Sequence, residues 1–195
     1  MAISNDLLEK HLCETFMAMC TYMPIEKITA TRLIRQVGCA RQTFYNYFSD
    51  INDLIRFIPI NYLKTTLSDL HDGDGVRRAY AYALEHPAFF TQLPRLKGQG
   101  DFRENFSSWL KNSFYELYLS RDMTYEEQLK RKLSIDMYCY GITDVFLDWC
   151  KAGLSWPLEI VLEAQSAARP PFMPPVHRFD EGAPADCGRQ TGAAV

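Results

Sequence analysis

Apolar residues recur along this chain at intervals of three and four, and nowhere over any length at intervals of two, so the pattern predicts helices and no sheet. In residues 4 to 22, Leu7, Leu8, Leu12, Phe16 and Met19 share one side of an amphipathic helix that Pro24 ends. Ala30, Leu33, Ile34 and Val37 fall at i, i+3, i+4 and i+7 and make the stripe of a second, short helix, with Thr29 placed as its N-cap. Gly38 tolerates the positive φ that a tight turn between steeply crossed helices needs. In the third helix Phe44 and Phe48 can face a core, which leaves Arg41, Gln42, Thr43, Tyr45, Asn46 and Tyr47 toward solvent.

Ser49 or Asp50 can cap a fourth helix whose Ile51, Leu54, Ile55 and Ile58 share a face and which runs on toward Leu70. Pro59 interrupts it, either as a bend or as a hinge between two functional units. After the break at Asp72-Gly73-Asp74-Gly75, helices are expected near 76 to 85, 88 to 95, 101 to 120, 124 to 152 and 157 to 168. From Arg169 onward prolines and glycines dominate, and a disordered tail is expected. The expected organisation is all-α: a three-helix helix-turn-helix unit over 1–57, a larger helical domain for ligand binding and dimerisation over 58–168, and a Pro/Gly-rich tail over 169–195.

A hydrophobic content of 47% in 195 residues is enough for a real core. No apolar run approaches the roughly 18 residues needed to span a bilayer, and the N-terminus lacks the basic-then-apolar order of a signal peptide, so a cytoplasmic location without membrane contact is expected. The net charge of −3 hides a division. Residues 25 to 57 carry five basic groups (Lys27, Arg32, Arg35, Arg41, Arg56) against three acidic ones (Glu26, Asp50, Asp53), while the segments before it and from 58 to 168 are both net acidic. A modest local excess, doubled in a two-fold dimer, suits nucleic acid, and the acidic remainder discourages indiscriminate binding.

The six cysteines show no C-x-x-C spacing and five of them read as small core or interface residues, although Cys13 and Cys20, seven apart on one helix face, leave a thiol sensor open. His71 with Asp72 and Asp74 is the nearest approach to a metal cluster and reads as a surface turn. No nucleophile with a base, no metal spacing and no phosphate-cradling glycine loop is found, so neither an enzyme nor a cofactor or metal is expected.

The outward set of the third helix carries groove chemistry. Arginine forks onto guanine, glutamine and asparagine pair with adenine, threonine offers a methyl, and hydroxyls reach phosphate oxygens. From spacing alone a helical hairpin with a merely wet polar side fits as well. The run Thr43-Phe44-Tyr45-Asn46-Tyr47-Phe48, about five residues after a turn glycine and just ahead of Asp53-Leu54-Ile55, resembles the signature of the tetracycline-repressor (TetR) family, specifically from about Ile25 to Ile58. The resemblance implies that Thr29 caps its helix beside a phosphate, that Arg41, Gln42 and Thr43 read bases, and that Tyr45, Asn46 and Tyr47 hold the backbone. Two positions depart from it: Ala40 stands where a capping serine is usual, and Ile51 where a phosphate-binding lysine is usual. Cys39 replaces a usual valine as a small apolar residue. The run Gly141 to Gly153 is loosely similar to a sub-family grouped with an activator of dihydroxyacetone kinase genes.

Tyr80, Phe89, Phe90, Phe102, Phe106, Trp109, Phe114, Tyr118, Tyr138 and Phe146 form an aromatic-rich interior. In most helical proteins such residues are core. Their functional reading is a pocket for a flat or apolar molecule, with Tyr80, Phe89, Phe90, Phe106, Trp109, Phe114 and Tyr138 as its walls. Ile135, Tyr138, Cys139, Ile142, Phe146 and Trp149, with Leu158, Val161 and Leu162, supply an apolar surface for a two-fold, four-helix interface. The expected function is a regulator that binds double-stranded palindromic DNA as a homodimer under a small-molecule or protein effector. Its rival is a scaffold of the same shape whose C-terminal domain docks a partner protein.

Overall fold

The structure is a computed structural model that describes residues 5–66, 73–96 and 102–173. Among these residues there are nine α-helices, two 3-10 turns and no strand. The expected all-α class is therefore what the chain adopts.

Three helices form the N-terminal unit: α1 (Asn5–Met19), α2 (Ala30–Val37) and α3 (Arg41–Tyr45), with a 3-10 turn at Ile25–Lys27 between the first two. Leu12, Phe16 and Met19 of α1, Leu33 of α2, and Phe44 and Phe48 at α3 are all buried in one cluster. Leu7, expected inward, is 58% exposed instead, in the first turn of α1 and more than one turn ahead of Leu12, the first buried one among the described residues. α3 also stops at Tyr45 rather than reaching Phe48, though Phe48 still donates its N–H to the Phe44 carbonyl at 3.0 Å and so completes the helical turn.

α4 (Ile51–Thr66) leads away from this unit. Asp50 caps it by accepting the Asp53 N–H at 2.8 Å, and the Asp53 carboxylate in return accepts the Ser49 N–H at 2.9 Å. Pro59 is buried within the helix, which continues on both sides of it. The other helices are α5 (Gly73–Glu85), α6 (Pro87–Phe90), α7 (Phe102–Tyr118), α8 (Tyr125–Lys151) and α9 (Leu158–Ala167). α5 starts three residues ahead of its apolar pattern. His71 and Asp72 of the sequence cluster lie outside the described residues. The helix expected over 88 to 95 is split into α6 and a 3-10 turn at Leu93–Arg95, since Pro94 has no N–H to give and disfavours a helical conformation at Leu93.

α7 and α8 run antiparallel, as their cross-pairs show: Arg103 with Asp144, Lys111 with Tyr140, Tyr115 with Asp136, and Arg131 with the Tyr118 carbonyl. Thr124 and Glu127 form a complete capping box at the start of α8. Its far end closes through two consecutive left-handed residues, Gly153 at φ 73° and Leu154 at φ 58°. α9 then folds back and is tied to α5 by a two-pronged Arg77–Glu159 pair. The segment Arg169–Met173, assigned by composition to the tail, packs instead: Pro170 and Met173 are buried and Phe172 lies against Tyr118. Aromatic partners within reach outweigh the helix-breaking prolines there. The rest of the expected tail, from 174 on, lies outside the described residues.

The N-terminal unit and the helical body meet at a buried amide set in an aromatic seam, and the Tyr82 hydroxyl of α5 also donates to Met17 Sδ of α1 at 3.5 Å. Gln92, buried, accepts the Ile25 N–H at 2.8 Å and donates to the Cys20 carbonyl at 2.9 Å and the Ala88 carbonyl at 2.7 Å. One amide thus satisfies both ends of the turn that joins α1 to α2, which has no helical partner of its own. Phe16 packs edge-on against Phe89, and Tyr62 of α4 stacks on Tyr82 of α5 at 3.8 Å.

Cys20, Cys139 and Cys150 are buried in the core, Cys13 and Cys39 are half-buried beside it, and Cys187 lies outside the described residues. Burial pushes the thiols of Cys20, Cys139 and Cys150 up from 9.0 to about 12, and burial aided by Glu9 and Glu14 does the same to Cys13. Such thiols are poor nucleophiles at neutral pH. A raised folded-state value leaves stability untouched below about pH 9 and lowers it above, because the unfolded chain then loses protons that the folded chain keeps. Urea midpoints are therefore expected to hold up to about pH 8.5 and to fall steadily toward about pH 11. An unchanged midpoint across that window would show that the core admits thiolates.

Candidate nucleic-acid interface

The turn between α2 and α3 is built on two local choices. Thr29 Oγ1 accepts the Arg32 N–H at 3.3 Å and caps α2, and Gly38 ends it at φ 75° with its N–H on the Ile34 carbonyl. An L side chain is strained at that φ, so glycine suits the turn even though space around it is open. The chain enters α3 at Ala40, which has the extended φ/ψ of an N-cap but no side-chain hydrogen bond. Ala40→Ser is therefore expected to stabilise the unit by about 1 kcal/mol, read as a rise in the unfolding midpoint. No rise would mean that the first turn of α3 is already satisfied.

Phe44, fully buried, anchors α3, and Phe48 sits beside it. The opposite face carries Arg41, Gln42, Tyr45 and Asn46, all exposed, in two i, i+4 pairs. Gln42 donates to the Asn46 side-chain oxygen at 3.2 Å, and the Arg41 guanidinium lies 5.4 Å from the centre of the Tyr45 ring. These pairs hold long side chains together along one face, each using only part of its residues' hydrogen-bonding capacity. Thr43 and Tyr47 are half-buried on the flanks, with Tyr47 packed against Phe48, and Thr29 is exposed at the N-terminus of α2. Six of the seven residues selected from sequence thus lie on or beside α3, four of them exposed and two half-buried, while Thr29 caps α2 at its N-terminus.

Charge around this surface follows from local bonding. Asp50 and Asp53 are held at the N-terminus of α4 by backbone donors, and Arg56 lies 3.5 Å from Asp53. Arg32, also exposed, is engaged within the unit, its guanidinium donating to Met23 Sδ and to the Lys27 carbonyl, each at 3.2 Å. Lys27, Arg35 and Arg41 remain exposed. Ile51 packs against the core, so the first residue of α4 offers no cation.

In the helical body the residues selected as a pocket divide. Phe89, Phe90, Phe106 and Phe114 are buried against one another and their neighbours as core, and Trp109 packs beside Phe106. Only Tyr80 and Tyr138 border a groove, which has a volume of about 470 Å³ and runs between α8, α9 and the segment that follows α9. The residues selected for a dimer surface divide as well. Ile135, Trp149 and Val161 are buried in the chain's own core, and Ile142, Phe146, Leu158 and Leu162 are half-buried against it. Apolar residues that reach solvent include Tyr125, Leu129, Leu133, Met137 (71% exposed), Tyr140 and Val145 on α8 and Ile160 (61%) on α9. α8 is apolar on more than one side, so periodicity could not tell its two stripes apart. Among the described residues no cluster of three or more metal-ligating side chains occurs.

A three-helix unit with a glycine-turned helix pair, joined by one long helix to a larger helical body, is a TetR-like architecture. The solved structure of the dihydroxyacetone kinase operon activator DhaS is similar to this chain with a TM-score of 0.57 over 80% of this chain and 90% of that one, at 17% identity. At that identity the likeness establishes the fold. No protein-family model matches the sequence, and no curated protein matches it either.

Proposed function

We propose that this chain is a transcriptional regulator without enzymatic activity that reads palindromic double-stranded DNA as a homodimer. The observation that carries the proposal is the outward face of α3, where Arg41, Gln42, Tyr45 and Asn46 stand exposed on a helix pinned from behind by Phe44. Hydrogen-bonding groups of this kind, on a short helix braced by two others, suit the major groove. The name of DhaS, an operon activator, agrees with this reading. The outward stripe Leu133, Met137, Tyr140 and Val145 with Ile160 is the surface for the second copy, which would place the two α3 helices roughly 34 Å apart on successive turns. An effector bound to the body acts by favouring one spacing of these helices over another. Among the described residues no helix is long and apolar enough to cross a membrane, and the proposal places the protein in the cytoplasm with its DNA.

Selection from a random palindrome pool, followed by binding measured over a salt series, tests this. A defined sequence is expected, with a shallow salt dependence because few cations flank α3. Arg41→Ala and Gln42→Ala should each cost about 1 to 3 kcal/mol at particular base pairs, whereas Tyr47→Phe should weaken all sequences alike. Equal losses for both kinds would refute the assignment of roles. Selection of no sequence would favour the interaction-scaffold reading, for which the exposed apolar stripe of α8 is the docking surface.

A further inference from the structure

The groove between α8 and α9 has a composition that the core does not explain. Its walls are largely apolar, with Met137, Ile142, Val145, Ala164 and Pro170 among them, and among the described residues that line it Arg169 alone is charged and none is a carboxylate. Two polar atoms at its α9 side, Gln165 Oε1 and Arg169 Nε, are removed from solvent and have no hydrogen-bond partner. Native structures rarely leave such atoms unsatisfied, since a buried donor or acceptor without a partner loses its hydration for nothing. Here an unspent acceptor and an unspent cationic donor lie four residues apart on the same wall.

Their neighbours keep them in place. Tyr138 is hydrogen-bonded to Gln165 and Tyr118 to Arg169, and burial holds both phenols above their ordinary range, so each stays a neutral hydroxyl at physiological pH. The amide and the guanidinium are thus gripped at one end while part of their bonding capacity stays unused. A volume of about 470 Å³ lies in the range of small-molecule sites.

We propose that this groove binds a small apolar acid, its anionic group paired with Arg169, a hydrogen-bond donor of the ligand meeting Gln165, and its apolar body lying along Met137, Ile142 and Val145. The inference deepens the effector-controlled reading above and rests on it for the regulatory consequence only. Met137 and Val145 belong to both the groove mouth and the proposed dimer stripe. A bound acid is therefore placed where it alters how a second copy seats.

The test uses the full chain and two fluorescent probes of nearly one shape, 8-anilinonaphthalene-1-sulfonate, which is anionic, and N-phenyl-1-naphthylamine, which is not. The sulfonate is expected to bind saturably at one per chain and at least about tenfold more tightly than the neutral amine, and octanoate is expected to displace it far better than octanamide. Arg169→Met should weaken the sulfonate by about tenfold and leave the amine unchanged, Arg169→Lys should restore most of the preference, and Ala164→Trp should exclude both probes. The wild-type comparisons stand even if a variant fails to fold. Equal binding of charged and neutral probes, or no saturable binding, overturns the proposal. So does exclusion of both probes from a stable dimer, which would show that the second copy itself fills the groove. DNA selection is measured without probe, so its failure and the failure of the groove are read separately.

Discussion

Gln92→Leu is expected to lower the stability of the chain by roughly 3 to 5 kcal/mol, far more than one side-chain hydrogen bond is worth. The amide serves three backbone groups at once, the Ile25 N–H and the carbonyls of Cys20 and Ala88. Ile25 and Cys20 are buried, so water cannot take its place. Leucine fills nearly the same space, and the loss therefore reports orphaned polar groups rather than a cavity. Urea unfolding gives the magnitude, and amide exchange should show protection lost first around Cys20 to Ile25. Gln92→Glu makes the sign visible: a carboxylate still accepts from Ile25 but faces two carbonyl oxygens, so the variant should lose stability as pH rises and the acid ionises. A loss below about 1 kcal/mol for Gln92→Leu would mean that the turn finds other partners. Because this contact joins the N-terminal unit to the body, its removal should also let the two unfold at different denaturant concentrations.

Phe44→Ala is expected to cost roughly 3 to 5 kcal/mol and to abolish sequence selection on DNA. Phe44 is wholly buried and touches Tyr45 and Phe48 in the aromatic cluster behind α3. α3 has five residues and no side-chain cap, and a helix that short does not persist on propensity in water. Its shape is therefore a property of the packing under it, and Arg41, Gln42 and Asn46 lose their common direction when Phe44 goes. Thermal unfolding and the palindrome pool measure the two effects. Retained selection at unchanged affinity would show that α3 is ordered by something other than its anchor.

The N-terminal unit was the most legible part of the chain. Its signals are local: Thr29 before an apolar stripe, Gly38 at the turn, and Phe44 and Phe48 one helical turn apart. A cap, a left-handed turn and an i, i+4 pair each depend on a few neighbouring residues, so the sequence carries them in full. The missing cap at Ala40 and the packed Ile51 were readable for the same reason. The body was legible only as helices. Tyr80 and Tyr138 border the groove while Phe89, Phe90 and Phe114 are core, a division that depends on which helices lie side by side. Ile135 and Trp149 face inward and Met137 and Val145 outward on one helix, yet all four are apolar and a pattern of apolar letters does not separate them.

Gln92 shows where local reading stops. It sits in an ordinary stretch, and two of its three partners lie 67 and 72 residues away. Arg169 and Gln165 likewise carry meaning only because α9 returns along α8 and leaves them beside a groove. By itself the sequence determined the helical class, the helix-turn-helix and the face of α3, because periodicity, capping and turn chemistry act over one or two helical turns. The tertiary structure alone decided the junction at Gln92, the inward and outward sides of α8, and the position of the groove. Each of these is a choice of neighbour between residues distant in the chain, and burial and hydrogen-bond satisfaction make that choice only once the helices have packed.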